Sequence, residues 1–94
     1  MSVYLVTWDL NKEGPAYRTA SERLHDRLDT LATIKHPGLR TVRFVDTTRS
    51  AKELYEYLEN FVDADDKIVI NKLSLNSYWG TVSKEVWEWV ALRL

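Results

Sequence analysis

The amino-terminal segment of this 94-residue chain constrains its fold more than any other part of the sequence. Residues 3–8 read Val-Tyr-Leu-Val-Thr-Trp, so both alternating sets of side chains are largely apolar. A strand with two apolar faces is typical of a central strand that is covered on both sides. Helices of so short a chain can cover one face, and we expect a second subunit to cover the other.

Length and composition predict a single globular domain over residues 1–94. Apolar residues make up 45% of the chain and charged residues 29%, which argues against disorder. The chain has no cysteine, which excludes disulfides and zinc sites that need thiolates. Neither an apolar run of about 18 residues nor a signal peptide is present, so we expect a cytoplasmic protein without a membrane partner.

Apolar spacing, capping residues and turn residues predict the remaining elements. They are a helix over 16–29, a hairpin over 30–46 with its turn at 36–38, a helix over 50–62, a strand over 67–73 and a helix over 84–93. Ser50 and Glu53 have the spacing of a capping box, and Ser83 caps the last helix. The order predicts an α/β fold, a ferredoxin-like βαββαβ domain with an extra carboxyl-terminal helix. Its helices are expected to leave one sheet face open.

Asp9 follows directly at the carboxyl end of the first strand. A carboxylate at this rim of the sheet can bind Mg²⁺ through one oxygen and several waters. Two subunits that bring their Asp9 residues together would create a shared metal site. The alternative is an Asx turn or a cap of the following loop, and position alone favours that alternative.

Two other groups of titratable residues predict no site. Asp63, Asp65 and Asp66 lack the glycine and the distal glutamate of a calcium loop, so we expect a solvated turn. His25 and His36 have no Ser, Cys or second His at a catalytic spacing. We therefore expect both histidines to be ordinary surface residues.

Basic and aromatic side chains offer two interpretations. Arg43 is predicted to lie on the open sheet face, where it could pair with a phosphate or with a carboxylate of a second subunit. Trp8, Tyr78 and Trp79 could stack on bases or become buried in an interface. A net charge of −1 gives no bulk attraction to nucleic acid and favours the interface.

Two short segments carry a resemblance to known families. Residues 4–12, Tyr-Leu-Val-Thr-Trp-Asp-Leu-Asn-Lys, resemble the opening of small bacterial and phage proteins called SinR-like, and Ser83-Lys84-Glu85 with Trp89 resembles their final helix. The opening is also similar to that of the small ferredoxin-fold subunits of the CRISPR spacer-acquisition complex and of virulence-associated protein D toxins. The resemblance implies a dimeric, metal-dependent nuclease whose strand-end aspartate binds the metal, although many CRISPR members act as scaffolds. Asp9 is the matching position.

These observations leave two hypotheses for function. The first is a nucleic-acid-associated homodimer, a Mg²⁺-dependent endonuclease with Asp9 as metal ligand and catalytic residue and with Arg18 and Arg43 as phosphate contacts. The second is a non-catalytic dimeric adaptor that binds a protein partner through an apolar patch around Tyr78 and Trp79. No motif indicates a small-molecule ligand or any cofactor besides Mg²⁺.

Overall fold

One antiparallel sheet of four strands forms the centre of the structure, a computed structural model that describes residues 2–94. The first residue of the predicted domain 1–94 lies outside the described residues. The elements are β1 (Ser2–Asp9), α1 (Gly14–Leu28), β2 (Ala32–Ile34), β3 (Val42–Thr47), α2 (Ala51–Leu58), a 3₁₀ turn (Glu59–Phe61), β4 (Lys67–Lys72) and α3 (Lys84–Ala91). The strand order is β2-β3-β1-β4, which confirms the predicted ferredoxin-like α/β fold with β1 and β3 at its centre.

The sheet face beneath α1 and α2, called the helical face below, carries the larger core. Alternation along β1 directs Tyr4, Val6 and Trp8 to this face, where all three are buried. The two helices contribute leucines at helical spacing. These are Leu24, Leu28, Leu54 and Leu58.

The opposite sheet face, called the α3 face below, is half covered by the same chain. Val3, Phe44 and Leu73 pack there against Val86 and Val90 of α3, and all five are buried. The expectation that this face is open is therefore wrong over that half. Sequence placed a helix after β4 but gave no sign of the layer that it joins.

The half of the α3 face nearer the end of β1 is left without a helix over it. Alternation and register place Thr7, Asp9, Lys67, Val69 and Asn71 on this half, which we call the Val69 patch. Val69 has 52% of its surface exposed. The two-sided apolar pattern of β1 is thus satisfied by α3 at one end, and towards the other end Leu5 and Thr7 line a cavity with Tyr78 and Val82.

Helix boundaries follow from local chemistry. Ser50 and Glu53 form both hydrogen bonds of the capping box, and Ser83 caps α3, as predicted. The second helix ends at Leu58 and continues as the 3₁₀ turn, earlier than the predicted end at residue 62. No helix among residues 2–94 combines the length and the apolar character needed to cross a bilayer.

Candidate functional site

Asp9 lies at the rim of the sheet, at the edge of the Val69 patch. It is exposed, and its neighbour in register on β4 is Lys67. Within residues 2–94, no three His, Asp or Glu side chains come together as a metal-binding group. Asp9 therefore belongs to no such group within the described chain, and Mg²⁺ there would be held by this carboxylate together with waters.

The loop after β1 is held by Asp66 and not by Asp9. The side chain of Asp66 is 1% exposed and accepts hydrogen bonds from the backbone N–H of Asn11 at 2.8 Å and of Asp63 at 2.7 Å. Lys12 Nζ donates to both of its carboxylate oxygens, at 2.9 and 2.8 Å. The prediction of a solvated turn is wrong for Asp66, because this carboxylate joins the turn before β4 to the loop after β1.

The contacts between Asp66 and Lys12, called the clamp below, also determine the charge states of the two side chains. Burial raises the pKa of Asp66, but the hydrogen bonds from Asp63 N–H, Lys12 and Asn11 N–H outweigh it and hold the pKa below its usual value. The side-chain hydrogen bonds to Asp66 and Asp63 raise the pKa of Lys12. The clamp is therefore an ion pair at neutral pH.

Arg43 lies on the helical face, and the prediction that it faces the open side of the sheet is wrong. Its side chain is 1% exposed, and Nη1 donates to Asp29 Oδ1 at 2.6 Å and to Thr33 Oγ1 at 3.1 Å. Nη2 donates to His25 Nδ1 at 2.8 Å. A guanidinium engaged and buried in this way does not present itself to a phosphate at the surface.

The same network sets the titration of its partners. The hydrogen bond from Arg43 lowers the pKa of Asp29, so Asp29 is ionised at neutral pH. Burial, followed by the positive charges of Arg43 and Lys35, lowers the pKa of His25. His25 is therefore a neutral imidazole near pH 7.

The three predicted interface aromatics have different environments. Trp8 is 4% exposed and packs edge-on against His25, with 5.5 Å between ring centroids, so its predicted role at an interface is wrong. Tyr78 is half-buried against Trp87, with centroids 5.2 Å apart. Trp79 is fully exposed. Tyr78, Trp79 and Trp87 line a groove of about 620 Å³ beside α3.

Arg18 lies on α1 and is exposed, as its predicted role as a phosphate contact requires. It precedes His25 by seven residues, two helical turns, so the two side chains lie on nearly the same side of α1. Of the two predicted phosphate contacts, Arg18 alone reaches the surface in the described residues.

Comparison with known proteins identifies the fold. The chain is similar to Cas2 of Streptococcus pyogenes, whose crystal structure was determined at pH 6.5, with a TM-score of 0.61 and 22% sequence identity. The similarity covers 79% of this chain and 88% of the Cas2 chain. No protein-family model and no curated protein matches the sequence. The fold is therefore Cas2-like, and the SinR-like and virulence-associated protein D relationships stay predictions.

Proposed function

We propose that this chain is a Cas2-like, nucleic-acid-associated protein that acts as a homodimer, with phosphodiester hydrolysis dependent on Mg²⁺ at paired Asp9 carboxylates. The observation that carries the proposal is the position of Asp9. It stands exposed at the end of the central strand β1, on a half-covered sheet face of a Cas2-like fold.

The Val69 patch supports the dimer. The patch combines an exposed valine with polar side chains. Three of its residues lie on β4, which is an edge strand with unpaired backbone groups. A second copy on this patch would cover the remaining apolar surface of the α3 face. A two-fold axis beside Asp9 would also bring Asp9 of one copy towards Asp9 of the other.

A pair of copies offers Mg²⁺ two carboxylates where one chain offers one. Magnesium commonly takes one or two carboxylates and keeps several waters, which two Asp9 side chains satisfy. Bound there, Mg²⁺ would activate a water and neutralise charge on the phosphate. Lys67, beside Asp9 in the register, would contribute positive charge next to the phosphate. Arg18 lies on α1, on the other side of the sheet, and would contact the nucleic acid away from Asp9.

Asp9→Asn is expected to lower Mg²⁺-dependent cleavage of DNA or RNA by at least about 100-fold, because a bound metal supplies several kcal/mol of transition-state stabilisation. Asparagine has nearly the shape of aspartate and removes a like charge from each copy at the paired site, so the dimer should persist. Cleavage of labelled single- and double-stranded DNA and RNA, with and without Mg²⁺, measures the first effect. Light scattering after gel filtration measures the second.

Asp65→Asn is the matched control, because Asp65 is another exposed carboxylate near the same end of the sheet. It should cleave like the unaltered protein. Equal cleavage by Asp9→Asn and Asp65→Asn would refute catalysis at Asp9. A monomeric mass at micromolar concentration would refute the paired site.

A second candidate function, a non-catalytic adaptor, is favoured by the environment of Trp79. A fully exposed tryptophan beside an apolar groove is typical of a surface that binds another protein. Tyr78 and Trp87 also line that groove, so a partner could cover the indole of Trp79 without rearranging α3.

Trp79→Ala is expected to weaken capture of a protein partner by about tenfold or more, since truncation of a hot-spot tryptophan costs about 2 kcal/mol or more. The melting temperature should not change, because the side chain is fully exposed. Tyr55→Ala is the control, since Tyr55 is an exposed aromatic on α2. Unaltered capture by Trp79→Ala, measured by pull-down from cell extract, would count against the adaptor.

A further inference from the structure

We propose that the cavity between α1 and the loop joining β2 to β3, called the hairpin cleft here, binds a nucleoside phosphate. The cavity measures about 470 Å³, within the roughly 300–1,000 Å³ of small-molecule sites. Its polar lining includes His25, Lys35, His36 and Arg40, and no carboxylate lines it. No motif in the sequence indicates this site, because its residues come from two separate segments, 17–25 and 35–42.

His25 lines the cleft with a fixed tautomer. Arginine can only donate, so the 2.8 Å contact from Arg43 Nη2 makes His25 Nδ1 an acceptor. The neutral ring must then carry its proton on Nε2. Asp29 and Thr33 hold Arg43 in turn, so the orientation of the imidazole is set by a hydrogen-bond network around the buried guanidinium.

His36 has the same tautomer for an independent reason. The backbone N–H of Gly38 donates to His36 Nδ1 at 2.9 Å, which leaves the proton of the neutral ring on Nε2. A Cβ at residue 38 would stand 3.1 Å from two ring atoms of His36, so glycine permits this close approach. Both histidines that line the cleft therefore have Nε2–H as their free donor.

Lys35 and Arg40 add positive charge beside these donors. Both are exposed, and neither forms an ion pair within residues 2–94. The acidic groups that act on His25 are Asp29, which is bound to Arg43, and Asp26 on α1. Two cations with two N–H donors are the groups that bind a phosphate dianion most strongly.

The lining of the cleft also holds apolar side chains among the polar ones, and they explain why the ligand would be more than inorganic phosphate. Tyr17 and Leu39 line the cleft with 36% and 38% of their surfaces exposed, and Pro37 lies between the loop's basic residues. The exposed ring of Tyr17 can stack on a base. The ligand class is therefore a nucleoside phosphate, either free or as one nucleotide of a strand.

The inference goes beyond the proposed function, because the cleft needs neither Asp9, nor Mg²⁺, nor a second copy. The cleft lies on the side of the sheet that carries α1, whereas Asp9 points to the α3 face. Nucleotide binding can therefore be tested in EDTA, where failure of the cleft leaves the result at Asp9 unaffected.

The test is a calorimetric titration of the full chain in EDTA with AMP, adenosine, inorganic phosphate and a pentadeoxyadenylate. Lys35→Ala/Arg40→Ala is expected to weaken AMP or pentamer binding by about tenfold or more, since each charge-assisted hydrogen bond contributes that much when truncated. Lys52→Ala/Lys84→Ala removes the same charge from α2 and α3 and should bind as the unaltered chain does. All four positions are exposed, so both variants should fold.

The outcomes separate the sources of the ligand. Tighter binding of AMP than of the pentamer identifies a free nucleotide, and tighter binding of the pentamer identifies a nucleotide within a strand. Either supports the cleft if the Lys35 and Arg40 variant loses it. Equal affinity of the two double variants overturns the proposal, as does adenosine or inorganic phosphate binding as tightly as AMP.

Discussion

Asp29→Ala is expected to lower the free energy of unfolding by about 3 kcal/mol, because it leaves a buried guanidinium without its counter-charge. The side chain of Arg43 is 1% exposed, and Asp29 Oδ1 lies 2.6 Å from its Nη1. Asp29 itself is 58% exposed, so its own removal costs little packing. Urea unfolding followed by circular dichroism measures the change.

Arg43→Met added to Asp29→Ala is expected to restore most of that stability. Methionine fills much of the volume of the arginine stem and needs no partner, and replacing a buried ion pair by apolar groups is often neutral. Asp26→Ala, an exposed carboxylate near the end of the same helix, is the control for a general loss of charge from α1. A double variant as unstable as Asp29→Ala would show that packing, and not the unpaired charge, causes the loss.

The elements that sequence predicted correctly have local causes. The alternation of residues 3–8 suffices to make β1 a strand with two apolar faces, and the structure confirms its central position. The capping box at Ser50 and the turn at 36–38 depend on residues within four positions of one another. Elements of this kind can be predicted from the sequence, because the residues that interact are neighbours in the chain.

The parts that sequence missed depend on contacts across the chain. Asp66 accepts from Asn11, which lies 55 positions away, and the solvated-turn prediction considered only its own loop. Alternation placed Arg43 on the side of Val45, but only the pairing of Tyr4 with Val45 shows that this side faces the helices. The position of α3 follows from packing on Val3 and Phe44, which no spacing within α3 specifies.

Of the two candidate sites, one could be predicted from the sequence and the other could not. Asp9 could be chosen because a carboxylate ending an apolar strand must lie at the rim of a sheet. The hairpin cleft could not be found, since His25 and His36 have no informative spacing and acquire their donors through Arg43 and Gly38. Both histidines were expected to be plain surface residues, whereas the structure gives each a fixed tautomer.

Asp66→Asn is expected to lower the free energy of unfolding by about 2–3 kcal/mol at neutral pH, because an amide cannot accept all the hydrogen bonds that the buried carboxylate accepts. The amide group would turn its own N–H donors towards Lys12 or towards a backbone N–H. Asp63→Asn is the matched control. Its carboxylate is 72% exposed and also contacts Lys12, at 3.0 Å, so its change should have little effect.

The effect of Asp66→Asn should also depend on pH in one direction. The pKa of Asp66 is lowered in the folded chain, so its contribution is fully present above the unfolded value of about 3.9 and is lost as the pH falls towards the folded value. The difference in unfolding free energy between Asp66→Asn and the unaltered chain should therefore be constant from about pH 5 to 7 and should shrink below about pH 4. A difference that stays constant down to pH 2 would show that the carboxylate acts through its shape and not through its charge.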